Sequence, residues 1–148
     1  MFNVCLAYKA VPAITFSSSR GGDWIDNNVA DSMGVPASQV CAVKEGGVDL
    51  GRPSGHVEEA ICIYFRDLVR YTLETFCKRF SSSEDVPTFT RPVELVLSGG
   101  TSLIHGFTEI FAQEMERVHL PIEVDRVRLA RDPLKTVARG CLYAALEK

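Results

Sequence analysis

With 148 residues, 46% of them hydrophobic and 24% charged, the chain is long enough for one core and hardly for two. Its net charge of −3 argues against a surface devoted to nucleic-acid phosphates, because duplex binding draws on many Lys and Arg contacts. No apolar run approaches the roughly 20 residues that span a bilayer, so no membrane span is expected. The apolar start from Phe2 to Tyr8 is not preceded by a positive segment and is interrupted at Lys9, which argues against a signal peptide.

Cys5, Cys41, Cys62, Cys77 and Cys141 are odd in number and scattered, without a C-x-x-C. That is neither a disulfide framework nor a zinc site, and most of these thiols are expected to be buried in a reducing, cytoplasmic setting. His56, His105 and His119 lie far apart without an acidic or cysteine partner at ligand spacing, so no metal site is expected.

In chain order, Val4, Leu6 and Tyr8 alternate with Asn3, Cys5 and Ala7, which predicts a strand. Turn signals from Lys9 to Pro12 and a second strand, Ala13 to Phe16, complete a hairpin. After the loop from Ser17 to Gly22, Asp23 is expected to cap a helix with Ile25, Val29 and Met33 on one face and Gly34 at its end. Pro36 opens a second helix that stops at Gly46 and Gly47. The longest helix is predicted from about Gly55 to Phe80, on a stripe that includes Val57, Ile61, Phe65, Leu68, Leu73 and Phe76. Ile63, Val69 and Tyr71 lie off that stripe and suggest cover on a second side. A polar, mobile loop is expected from Ser81 to Arg91.

Val93 to Leu97 reads as a buried strand, Ser102 to His119 as a helix, and Pro121 to Asp125 as a strand followed by a basic turn, Arg126 to Arg131. Asp132 and Pro133 start a last helix whose buried stripe is Leu134, Val137, Ala138, Cys141, Leu142 and Ala145. The order predicts one α/β domain over residues 1–148 with at least part of its sheet parallel.

The sharpest local feature is the run from Leu95 to Phe107, where Gly99 and Gly100 stand between a strand and a helix. Glycine there admits a ligand close to the main chain, and the helix start offers free N–H groups. About half of such turns are purely structural.

The segment Ser98 to Phe107 resembles the adenosine-contacting motif of the actin and heat-shock-chaperone ATPase superfamily. Arg20 to Asp26 resembles the turn opening a helix of that superfamily's second large subdomain. Lys44 and Glu45 resemble its adenine-side pair, and Asp132 to Gly140 is similar to a helix of bacterial MreB-type proteins. The resemblance implies an actin-like ATPase (ribonuclease H-like) fold, with a mixed sheet incomplete at its N-terminal strand and a reduced nucleotide-covering subdomain around residues 35–55.

It further implies that the chain is the adenine-nucleotide-binding half of an MreB-type, cell-shape ATPase. Gly22, Lys44, Glu45, Gly99, Gly100 and Thr101 would then contact ATP or ADP, with Mg held in the full-length parent. The superfamily's phosphate hairpins have no counterpart here, so no catalytic residue is assigned and no hydrolysis by this chain alone is expected. The expected partners are the nucleotide and further copies of the chain, by dimerisation, strand exchange or filament formation. Other readings are a fragment of a chaperone, reactivating factor or sugar kinase, or a non-catalytic interaction module.

Overall fold

The alternation at the start of the chain forms the expected hairpin. In the computed structural model, which describes residues 1–84 and 86–146, β1 (Phe2–Tyr8) pairs antiparallel with β2 (Val11–Ser18). The turn is tighter than expected: only Lys9 and Ala10 connect the strands, at φ 51° and 63°. Positive φ at both central residues matches the right-handed twist of the flanking strands. Pro12 falls inside β2, opposite Ala7, where the ladder register shifts. A proline is tolerated at such an irregularity because no regular ladder bond is lost.

Four helices build the main core. α1 (Gly22–Met33) starts at Gly21 without a side-chain cap, so the cap expected from Asp23 is not formed. Gly34 closes it in the left-handed conformation, φ 65°, and its N–H donates to the Ala30 carbonyl. α2 (Ala37–Glu45) follows directly after Pro36. α3 (His56–Ser82) is the axis of the molecule, with Ile61, Phe65, Leu68 and Val69 fully buried. Cover on its second side is real at Val69 but not at Ile63, which is 59% exposed. The expected loop from Ser81 begins two residues later, after Ser82, and residue 85 lies outside the described residues.

β3 (Val93–Leu97) lies where its apolar run predicts. The helix expected from Ser102 is divided: a short 3₁₀ turn spans Gly100–Leu103, and α4 (Phe107–Arg117) begins after Gly106. Gly106 adopts φ 83°, and a β-carbon there would lie 3.1 Å from the Gly51 nitrogen. The break therefore has two causes, a left-handed residue and a neighbouring main chain. Leu103 consequently points out, 50% exposed.

β4 runs Val124–Leu129, parallel to β3, so the first four residues of the basic stretch expected as a turn, Arg126 to Leu129, are strand. The reason lies across the ladder. Glu94 on β3 accepts hydrogen bonds from Arg126 and Arg128 on β4, which lets two exposed arginines sit on one strand. Those two bonds, Arg128's first, hold the Glu94 carboxyl at about 2. A carboxyl depressed on folding stabilises the fold above its unfolded value of about 4.3 and loses that contribution as pH falls through the folded value. The denaturation midpoint is therefore expected to decline between pH 5 and 2, and Glu94→Gln should flatten that decline. An identical profile for the variant would remove Glu94 from the account.

The α/β character and the parallel pair are as expected, but the strands form two separate two-stranded sheets, β1–β2 and β3–β4. The core is divided in the same way. One cluster joins α1 to α4 with Leu97 of β3, and a smaller one gathers Leu6, Ile14 and Phe76 under the hairpin. α5 (Thr136–Leu146) has no buried residue, which overturns its expected buried stripe. Leu134, Val137 and Leu142 are 68%, 76% and 58% exposed. The thiol expectation is corrected too: all five cysteines are free, but none is buried. Among the described residues no helix is long and apolar enough to cross a membrane.

Candidate functional site

The residues singled out from the sequence sit on three elements that meet at one end of the main core. Gly22 opens α1, Lys44 lies in the last turn of α2, and Gly99, Gly100 and Thr101 turn the chain out of β3. The structure brings Gly22, Lys44 and Thr101 together. A β-carbon on Gly22 would lie 3.5 Å from the Thr101 hydroxyl and 3.6 Å from the Lys44 ammonium. Glycine here leaves space between two polar side chains contributed from 22 and 79 residues further along the chain.

The turn carrying Gly22 is fixed from outside. The Arg20 guanidinium lies 3.8 Å from the centre of the Tyr71 ring and 4.9 Å from that of Trp24. Such cation–π contacts, one to α3 and one to α1, pin the entry to α1 against the long helix. Trp24 in turn meets Tyr64 edge-on, with ring centres 5.7 Å apart.

Lys44 is held more tightly than its place near a helix end suggests. Its ammonium donates to both carboxylate oxygens of Asp26, at 2.6 and 2.7 Å, and to the Gly22 carbonyl at 3.4 Å. Asp26 is 7% exposed, so the pair is largely removed from water and ties α2 to α1. Asp26 is the site residue that sequence reasoning missed. The only local signal is a carboxylate four residues after Gly22, in the middle of an amphipathic helix. Its partner lies 18 residues away and is supplied by the packing of α1 on α2.

Glu45 does not join this cluster on the same terms. It is exposed at the end of α2, one turn after Cys41. Burial first, then the Glu45 and Asp26 charges, push the Cys41 thiol up from its ordinary value. Cys41 is therefore held as the neutral thiol and is a poor nucleophile.

The glycine turn is built around a carbonyl. Gly99 adopts φ 98°, a region essentially reserved for glycine. Its N–H and the Ser98 hydroxyl both donate to the Pro133 carbonyl, each at 3.0 Å. Gly100 is exposed, and a β-carbon there would touch only Leu134, at 3.9 Å. Just before α4, His105 pairs with Asp49 at 3.1 Å, and the Asp49 carboxyl is lowered by hydrogen bonds from the Gly51 N–H and from His105. No three His, Cys, Asp or Glu side chains gather at metal-binding distance among the described residues.

In chemical terms the meeting point of these residues is polar. The Lys44 charge is compensated by Asp26, and the neighbouring Thr101 hydroxyl can both donate and accept.

The family model described as Volactin matches residues 1–145, and the chain belongs to that family. None of the curated proteins matches it. The family found differs from the MreB type expected from the four short segments, and no actin-like ATPase family model matches. The expectation of an MreB-type ATPase half, with cell-shape, cytoskeletal and ATP-binding roles, is corrected accordingly. Physically, each segment that carried it is a strand-to-helix turn, a helix start or a helix end. Glycine, proline and charged residues recur there for conformational reasons alone.

Proposed function

We propose that this member of the Volactin family is a binding protein for a small polar ligand, held where Gly22, Lys44 and Thr101 meet. One observation carries the reading: two separate elements bring polar side chains, Lys44 and Thr101, to a point on a third where the chain has no β-carbon. The exposed Gly100 and the left-handed Gly99 add approachable main chain at the same turn. A ligand bearing hydroxyl or phosphate groups fits that chemistry, and ATP and ADP are the compounds to titrate first. Glu45 would serve at the margin, where its exposed carboxylate can accept from ligand hydroxyls. No catalytic residue is assigned. Five free thiols favour a reducing, cytoplasmic setting for this activity.

Calorimetric titration of the full chain tests the proposal. Saturable binding is expected, and Gly22→Ala should weaken it at least about tenfold, or 1.4 kcal/mol, by placing a methyl beside Lys44 and Thr101. The added methyl makes only ordinary contacts at 3.5 Å and 3.6 Å, so the variant should fold normally. Lys44→Ala should also lose affinity, with circular dichroism checking that α1 and α2 survive the loss of the ion pair. Unchanged affinity in Gly22→Ala, or no binding of either nucleotide at millimolar concentration together with none of ribose 5-phosphate, would end this reading.

Self-association is a second proposal, favoured by α5. Val137, Tyr143 and Leu146 on that one helix are 76%, 67% and 73% exposed, an apolar surface that proteins ordinarily cover. Sedimentation equilibrium at rising concentration tests it, and a strict monomer throughout would exclude it.

A further inference from the structure

Both polar main-chain groups of Gly99 are engaged within the protein. Its N–H donates to the Pro133 carbonyl at 3.0 Å, and the Ser98 hydroxyl donates to the same oxygen, also at 3.0 Å. Its carbonyl accepts twice from Ser102, from the N–H at 3.1 Å and from the hydroxyl at 2.7 Å. A carbonyl oxygen has two lone pairs, so each of these two acceptors is filled. Gly99 therefore offers a ligand space but no free hydrogen bond. Ser102 is only 3% exposed, which commits its hydroxyl to that carbonyl. A serine that bonds back three residues favours a tight turn over regular helix, and the chain here forms the 3₁₀ turn Gly100–Leu103.

The outer anchor is itself fixed. Pro133 lies between β4 and α5, where the Ala130 N–H donates to the Leu97 carbonyl at 2.8 Å. The Asp132 carbonyl accepts from the Lys135 N–H at 3.1 Å and from the Thr136 hydroxyl at 2.8 Å. The turn is thus held from outside by Pro133 and from inside by Ser102. Between these anchors Thr101 is the residue that reaches the polar meeting point, with its hydroxyl 3.5 Å from the place of a Gly22 β-carbon. Two glycines in succession have more backbone freedom than any other pair, and neither has a side chain to wedge it. The hydrogen bonds of Ser98 and Ser102 supply the restraint that packing does not.

We propose that Ser98 and Ser102 are positioning residues for the ligand site: by locking Gly99 they hold Thr101 towards Gly22 and Lys44, without themselves contacting the ligand. This rests on the reading of that meeting point as a binding site. A group already held in place loses less freedom on binding, so affinity depends on the two hydroxyls.

The test is a double-mutant cycle on the full chain, read by calorimetry with whichever of ATP, ADP and ribose 5-phosphate binds most tightly. Ser98→Ala and Ser102→Ala should each weaken binding at least about threefold. Ser98→Thr keeps the hydroxyl at an exposed position and should bind as the parent protein does. Thr101→Val removes the hydroxyl being positioned, and in that background neither serine substitution should weaken binding further, whereas a merely structural loss would add. Additive losses, or unchanged affinity in both serine variants, would overturn the proposal.

A second measurement needs no ligand. Three-bond couplings of Thr101 should report one χ1 rotamer in the parent protein and averaged rotamers once both serines are alanine. A single rotamer retained in that variant would overturn the proposal even if nucleotide binds. If no probe binds the parent protein, the binding reading fails by itself, and the Thr101 couplings still decide whether the two serines set the turn. Should Ser102→Ala not fold, Ser98→Ala and its restoration in Ser98→Thr decide in both measurements.

Discussion

Glu114→Ala is expected to lower stability by about 3 kcal/mol, because it removes the one buried carboxylate around which three arginines are arranged. Glu114 is fully buried on α4. It accepts from Arg66 at 3.1 Å, from Arg70 at 2.9 and 3.2 Å, and from Arg117 at 2.7 Å. Two of these arginines are on α3, so the carboxylate clamps α4 to the longest helix of the core. Burial pushes the Glu114 carboxyl up, but the hydrogen bonds from Arg70 and Arg66 prevail and hold it below the ordinary range. It therefore stays ionised at neutral pH, and its stabilisation fades only as pH falls below the unfolded value of about 4.3.

Without Glu114 the arginines repel one another beside a cavity. The figure sits at the low end of the range for broken buried pairs because the arginine side chains are 29%, 44% and 60% exposed and can recover some hydration. Glu114→Gln keeps the volume and one acceptor oxygen, and about half that loss is expected of it. Urea denaturation of both variants at neutral pH is the check. A loss under about 1 kcal/mol for Glu114→Ala would show that the cluster contributes no more than a surface pair.

Phe65→Ala should cost more, about 3–5 kcal/mol. Phe65 is fully buried at the centre of α3 and meets Phe107 edge-on, with ring centres 5.6 Å apart. Phe107 continues the stack to Phe111 at 6.1 Å. Removing the first ring deletes its buried surface and the edge-to-face contact, and leaves a hole between two helices whose backbones are fixed elsewhere. Against a total stability of roughly 5–15 kcal/mol, this single change removes a large fraction. Phe65→Leu, which keeps most of the volume, should lose clearly less. Comparable losses for the two variants would mean that ring geometry, rather than volume, dominates at this position.

Parts of this architecture are plain in the linear chain. α3 repeats its apolar spacing over 27 residues, so the signal is summed many times and the helix lies within two residues of its expected ends. Gly34 and Gly99 mark the points where the chain must turn through positive φ, and both do so. The approach of Lys44 to Gly22 and Thr101 was anticipated through a resemblance that did not hold, while Asp26, which fixes Lys44, was overlooked.

The failures share one cause. β4 was placed too early because Pro121 to Asp125 alternates locally, whereas its real span depends on Glu94, some 30 residues away, receiving Arg126 and Arg128. The stripe on α5 is at proper helical spacing, yet nothing among the described residues buries it. Spacing tells which residues share a face, and only the rest of the molecule decides whether that face is covered.

The sequence by itself therefore determined the class of the fold, the hairpin, the helices and the glycine turns, because each is encoded within a few neighbouring residues. Only the tertiary structure decided that the strands form two half-sheets, that Asp26 meets Lys44 and that Glu114 gathers three arginines. Those are contacts between distant parts of the chain, set by how helices and sheets pack, and no local pattern of residues carries them.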